Sequence, residues 1–429
     1  MKAFQTILLG IFIFFIIVGV ALFATMKSKS SGDELAPIVL WGTVSSEIFE
    51  QYLSKLNLSQ EQELNVTYIE KRAESFDREY IEALARGYGP DAILLPQDLI
   101  LRHWDTILPV PYEAFTERDF KDTFIPEGEM YLTSAGILAF PFSIDPLVMY
   151  WNRDSFTNAG LPTYPKTWAD ISNLTKSLTS RDVSSNVSSS AVALGEFKNI
   201  NHAKEILSAL IMQAGNPIVT IDSQNTINNL LADRLGYAVS PTETALSFYT
   251  KFSNPVDPLY SWNKSLSSSK NSFLSGKLAT YFGFASELAD IRNKNPNINF
   301  DVALLPQALN AKNRVTFGTM LGLAIAKSTG DSTNTFAVIS SLFTQSSIAI
   351  WADTTKLPPV RRDLLLTRPQ DPYLSVFYDS ALISKAWLDP RREQTDTIFQ
   401  NMVESVISGR SRASEAVSTA GQQMDNLLE

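Results

Sequence analysis

The chain has 429 residues, a formal net charge of −9, two histidines and no cysteine. Its length exceeds one ordinary core, so two or three domains or lobes are expected, and 45% hydrophobic with 19% charged residues is a folded globular composition. The lack of cysteine excludes disulfides, thiolate nucleophiles, zinc–thiolate and iron–sulfur sites, and an acidic balance without a Lys/Arg cluster argues against a nucleic-acid or anionic-membrane surface.

Residues 7–26, ILLGIFIFFIIVGVALFATM, carry no charge. About 20 apolar residues in a helix span the hydrocarbon core. A cleaved signal peptide has a shorter apolar region and a small-x-small site, which Leu22 and Phe23 before Ala24 match poorly. Residues 1–26 are therefore expected to be an uncleaved membrane anchor. Lys2 on one side and Lys27 and Lys29 on the other leave its orientation open. KSKSSGDELA, residues 27–36, is small and polar and reads as a flexible tether.

The body begins at Pro37. IVLWGT is a β-rich run over 38–43. SSEIFEQYLSKL follows with a serine cap and apolar spacing, hence a helix. NVTYIEKR predicts a second strand, FDREYIEALARG a helix closed by Gly87, and GPDAILLPQD a third strand. This alternation predicts a parallel sheet with helices on both faces, and ligands in such sheets bind at the carboxyl ends of strands. Those ends hold Trp41, Thr43, Ser45 and Ser46 after the first strand, and Gln97 and Asp98 after the third.

After Tyr150 a second α/β region starts. Thr167 with Asp170 three residues on approximates a capping box, and AKEILSALIMQAG is a helix ended by Gly215. ATYFGF and FDVALLP are strands, VTFGTMLGLAIAK is a longer apolar run, and the last hundred residues read mostly helical. No G-x-S-x-G elbow, phosphate loop or metal-ligand cluster appears, so no catalytic residue, metal or cofactor is assigned. One acid stands out. In PFSIDPLVMYWNRD, Asp145 lies inside an apolar run directly before a proline, where burying a carboxylate is expensive. Catalysis, ligand contact and a water-facing turn are its three readings.

Five stretches in register carry a resemblance: GPDAILLPQD, AGILAFPFSIDPLVMYWNRDSFTNAGLPTYPKTWADI, FLSGKLATYFGF, NINFDVALLPQ with VTFGTMLGLAIAK, and ISGRSRASEAV. Together they resemble the family 1 extracellular solute-binding proteins, the receptors of ATP-binding-cassette importers, of which maltose-binding protein is the best-known member. The resemblance covers nearly everything from Pro37 to Leu428. It implies two α/β lobes of the type II periplasmic-binding-protein kind, joined by crossing strands, with 143–148 and 315–323 as the crossings. Lobe one is then 37–144 and 323–367, and lobe two 147–316 and 368–429.

By the same resemblance the chain is not an enzyme. It captures a small solute, with carbohydrate the expected class, and hands it to an importer permease. The globular part lies outside the cytoplasm and is expected to be monomeric. The solute contacts carried over are Asp145 at the crossing, Gln97 and Asp98, the residues after the first strand, and Asn201 and His202 before a lobe-two helix. Ser286, beside Glu287, and Asp396 fall where the maltose relative stacks tryptophans on sugar rings. That departure disfavours a maltodextrin and suggests a more polar pocket; Trp262, Trp351 and Trp387 are the possible substitutes. A second departure is the missing lipoprotein cysteine, whose tethering role the amino-terminal helix takes over. Plainer readings stand beside these: packing for Trp41, and helix capping for Asp98 and Asn201. A glycoside hydrolase using Asp98 and Asp145, and a receptor serving a sensor or adhesion partner, are the alternative functions.

Overall fold

A computed structural model describes residues 35–429, except 60–62, 185, 223–225, 310, 312–313 and 429. The expected anchor over 1–26 and most of the tether lie outside the described residues. Among the described residues no single helix is long and apolar enough to cross a membrane.

The first half alternates as its sequence demands. Strand β1 (Ile38–Gly42) leads to helix α1 (Ser46–Ser59), β2 (Val66–Glu70) to α2 (Phe76–Ala85), and then comes β3 (Ala92–Pro96). Helix α1 turns Phe49, Tyr52 and Leu56 inward at helical spacing, onto an aromatic cluster with Phe142 and Trp351. Each such buried ring contributes roughly 1.5–3 kcal/mol. Beyond the end of α2, Gly87 takes φ +74°, a left-handed turn that a residue with a Cβ adopts only under strain. β1 pairs in parallel with both β2 and β3.

Two long strands then join this half to the next. β4 (Phe140–Asn152) is followed by β5 (Ser180–Arg181), β6 (Val187–Val192), β7 (Leu278–Phe284) and β8 (Phe300–Leu304). β9 (Thr316–Ile325) and β10 (Ser384–Lys385) complete a ten-stranded sheet. Its order is β2-β1-β3-β9-β4-β7-β6-β5, with β8 also on β4 and β10 also on β9. β9 runs antiparallel to β3 and to the first half of β4, where Asp145 stands opposite Thr319. From Leu147 onward β4 is antiparallel to β7 and β8 instead. The sheet is therefore mixed rather than parallel throughout: helix crossovers give the parallel strands β1–β3, while the bridging strands reverse direction. β4 changes partners at Pro146; β4 contains the stretch 143–148 expected to cross, and β9 contains all of 315–323 but Val315.

Helix α3 (Trp168–Leu178) belongs to the second half, and three further helices bear on the site: α4 (Ala203–Gln213), α5 (Ser269–Leu274) and α6 (Arg392–Ile407). Helix α3 opens on the expected capping box, with Thr167 and Asp170 satisfying each other's backbone N–H groups.

Candidate functional site

Strand register brings the candidate residues to one place. Pro96 at the end of β3 stands opposite Leu321, and Asp145 stands opposite Thr319 two residues along the same strand. β1 is parallel to β3, so its carboxyl end and the start of α1 lie beside that of β3. Side chains alternate across a sheet, so Asp145 and Thr319 share one face while Ile144, Pro146 and Gly318 occupy the other.

Asp145 is half-buried, and its Oδ1 accepts a hydrogen bond from the Ser286 backbone N–H at 3.0 Å. Burial raises its pKa to about 6, against the hydrogen bonds from Ser286. A carboxylate so placed keeps lone pairs for further donors. The loop that carries Ser286 is itself anchored by Glu287, which accepts from the Phe284 N–H at 2.9 Å, the Tyr281 hydroxyl at 2.8 Å and Lys270 at 2.7 Å. His202 Nε2 lies 2.7 Å from the same carboxylate. Burial alone raises the pKa of Glu287, but His202 and Lys270 outweigh it and hold the group down to about 2. Reciprocally, burial lowers the His202 pKa and Glu287 more than reverses this. His202 takes a left-handed φ of 59° at the start of α4 and meets the Phe284 ring edge-on at 4.7 Å.

A second group of charges lies two residues along α4. Lys204 is 7% exposed and donates to Asp389 and Thr395 Oγ1, both at 2.6 Å. Asp389 is itself buried. This pair fixes the first turn of α6, where Arg392 reaches Asp98 at 3.2 Å. Burial pushes the Asp98 carboxyl up, and Arg392 acts against it. Asp396, one turn along α6, is exposed.

Several sequence expectations acquire a different physical meaning here. Trp41 is 6% exposed, and the Lys71 ammonium lies 3.9 Å from its ring centre, so one face of the ring is covered and the packing reading applies. Gln97 is buried; its amide donates to Gly318 O at 3.0 Å and accepts from Met320 N–H, stapling β3 to β9. Asp98 makes no capping bond to the short helix that follows β3 and pairs with Arg392 instead. Asn201 does not cap α4. Its Oδ1 accepts from Ser269 and from the Lys270 N–H at the start of α5, both at 3.1 Å. Thr43, Ser45 and Ser46 are partly exposed at the β1–α1 turn, where Glu70 accepts from the Ser46 N–H at 2.8 Å. Trp262 and Trp351 are core residues, and Trp387 is buried with its indole N–H on Ser208 at 3.1 Å. Trp262 and Trp351 offer no open stacking face, whereas Trp387, 4% exposed, forms part of a cavity wall.

Sequence reasoning missed Lys204, Lys270, Asp389 and Arg392. Two signals pointed to Lys204 and Arg392: a lysine inside the apolar run AKEILSALIM, and an arginine in a helix first turn, where the dipole disfavours a cation. Two cavities are present among the described residues, and the second borders the charged cluster through Trp387, whose ring centre is 5.4 Å from the Lys204 ammonium. One of about 410 Å³ is lined by Met402 of α6 and Ala416, and another of about 300 Å³ by Met130, Asn216, Val315 and Trp387.

Two lobes joined by β4 and β9, with polar groups gathered at the junction, define the class of two-lobed binding proteins. Residues 82–373 match the model of the bacterial extracellular solute-binding proteins, and the chain belongs to that family. Among solved structures, a cyclo/maltodextrin-binding protein complexed with maltotetraose is similar at a TM-score of 0.74 and 15% identity, covering 93% of this chain and 98% of that one. A cyclic α-maltosyl-1,6-maltose-binding protein from Arthrobacter globiformis gives 0.72 and 13%, with 92% and 99% covered. A solute-binding protein from Thermotoga lettingae bound with α-D-tagatose gives 0.65 and 16%, with 92% and 100% covered. Identities this low speak for the fold. No curated protein sequence matches the chain.

Proposed function

We propose that the chain is a membrane-tethered receptor that takes a carbohydrate between its two lobes and delivers it to an ATP-binding-cassette permease. In this reading lobe one comprises 37–144 and 323–367, lobe two comprises 147–316 and 368–429, and they close on solute as hinged bodies. The amino-terminal helix keeps the receptor at high effective concentration near its permease. The observation that carries the reading is the Asp145 carboxylate, half-buried where β4 changes partners and held by Ser286 beside the His202–Glu287 pair. Sugar hydroxyls are donors, and each charge-assisted bond to a carboxylate contributes roughly 1.5–3 kcal/mol. Family membership supports capture of a solute, and the sugars named with the similar structures support its class.

With Trp262 and Trp351 in the core and Trp387 only 4% exposed at a cavity wall, recognition rests on hydrogen bonds more than on stacking, which suits a small polar sugar better than a long maltodextrin. The hydrolase alternative has weaker support, because Asp98 is already engaged by Arg392. A thermal-shift screen of a 36–429 fragment against sugars, polyols, amino acids and peptides tests the proposal. At a hundredfold excess over the dissociation constant the cognate sugar adds about 2.7 kcal/mol. Stabilisation by no sugar removes the carbohydrate assignment, and turnover of an oligosaccharide favours the enzyme.

A further inference from the structure

One contact joins the carboxyl end of β3 to the amino end of α6. Arg392 Nη1 and Asp98 Oδ2 are 3.2 Å apart, although 294 residues separate them in sequence. In the two-lobe division proposed above, Asp98 belongs to lobe one and Arg392 to lobe two, so the pair spans the cleft.

The placement is built rather than incidental. The Lys204 ammonium, buried on α4, donates to Asp389, to Thr395 Oγ1 and, at 3.3 Å, to the Arg392 carbonyl. A buried ammonium held by a buried carboxylate tolerates little rearrangement, so the first turn of α6 is fixed to α4. Arg392 itself stands where the helix dipole opposes a cation, and Asp98 supplies the offsetting charge. Asp98 feels lobe-two charges beyond Arg392: Lys204 stabilises its ionised form and Asp389 opposes it.

We infer that Arg392 is a positioning residue for solute capture: it clasps Asp98 across the cleft and draws the lobes together before solute arrives. This rests on the two-lobe reading and is independent of which solute binds. The Arg392 side chain is 64% exposed, so salt screens the clasp. An exposed pair of this kind shifts an equilibrium by roughly two- to fivefold.

The test uses the full-length chain in detergent without solute. The chain has no cysteine, so Leu58→Cys and Val256→Cys, at positions 86% and 89% exposed on opposite lobes, accept a dye pair cleanly. Single-molecule energy transfer then counts closed and open molecules at low and high salt. The closed-to-open ratio is expected to fall about two- to fivefold on adding salt. Arg392→Glu places like charges across the cleft and opens the protein at low salt, and the Asp98→Arg/Arg392→Glu charge swap restores closure. Identical distributions for wild type and Arg392→Glu overturn the inference. So does an opening that the charge swap fails to reverse, because a merely structural role of Arg392 gains nothing from the swap. Failure of the sugar screen leaves this result untouched, and failure here leaves the solute class untouched.

Discussion

Glu127 allows the most quantitative prediction. It sits in the helical turn Pro126–Tyr131, on the sheet face opposite Asp145, against Gly318 and Ile144. Only 4% of it is exposed, and neither carboxyl oxygen has a hydrogen-bond partner among the described residues. Burial pushes its pKa from 4.5 up to about 8. The unfolded chain ionises Glu127 above 4.5 while the folded chain keeps it protonated until about 8. Stability associated with the neutral group is therefore complete below 4.5, declines as pH rises to about 8, and is constant beyond. The interval corresponds to at most about 5 kcal/mol. Glu127→Gln is isosteric and neutral at every pH. Urea unfolding of both proteins, followed by tryptophan fluorescence and compared by midpoint because two lobes need not unfold together, checks this. The variant is expected to match wild type near pH 4.5 and to exceed it by about 3–5 kcal/mol at pH 9. A gap that does not change with pH refutes the reasoning and means that Glu127 is solvated or paired in solution.

Lys204→Met strands the buried Asp389 carboxylate and is expected to cost about 3–5 kcal/mol in thermal unfolding, most of it recovered in Lys204→Met/Asp389→Leu. Gly318→Ala drives a Cβ into Glu127 Oε2 and to within 2.8 Å of Ile144 Cδ1 and 2.9 Å of Ser384 Cβ; a loss of about 1–3 kcal/mol in thermal unfolding is expected. The Asp145 carboxyl titrates at about 6, and its ionised form is the acceptor, so affinity for sugar is expected to fall about tenfold between pH 7 and pH 5. Calorimetry with Asp145→Asn is expected to show no such slope.

Local chemistry was legible in the sequence, and distant pairing was not. The aromatic face of α1, the Thr167 capping box and the left-handed Gly87 follow from spacing and turn chemistry within a few residues. The bridging strands were visible as long apolar runs, but their antiparallel direction depends on which strands they meet, and β3 and β9 are more than two hundred residues apart. The same distinction divides the site. Asp145 announced itself as an acid inside an apolar run. Gln97, a plausible solute contact by position, spends its amide on β9, and Asp98, a plausible cap, meets Arg392 instead. Lys204, Lys270 and Arg392 gain their meaning from partners that only the fold supplies.

The most direct test of the account is calorimetric titration of the leading sugar from the thermal-shift screen into wild type and Asp145→Ala. The account predicts saturable binding without product formation, and a loss of about ten- to a hundredfold in Asp145→Ala with the melting temperature nearly kept. Unchanged affinity in Asp145→Ala would contradict it and leave this carboxylate, which lies inside β4 and not in the turn that one reading expected, as an anchor for the Ser286 loop alone.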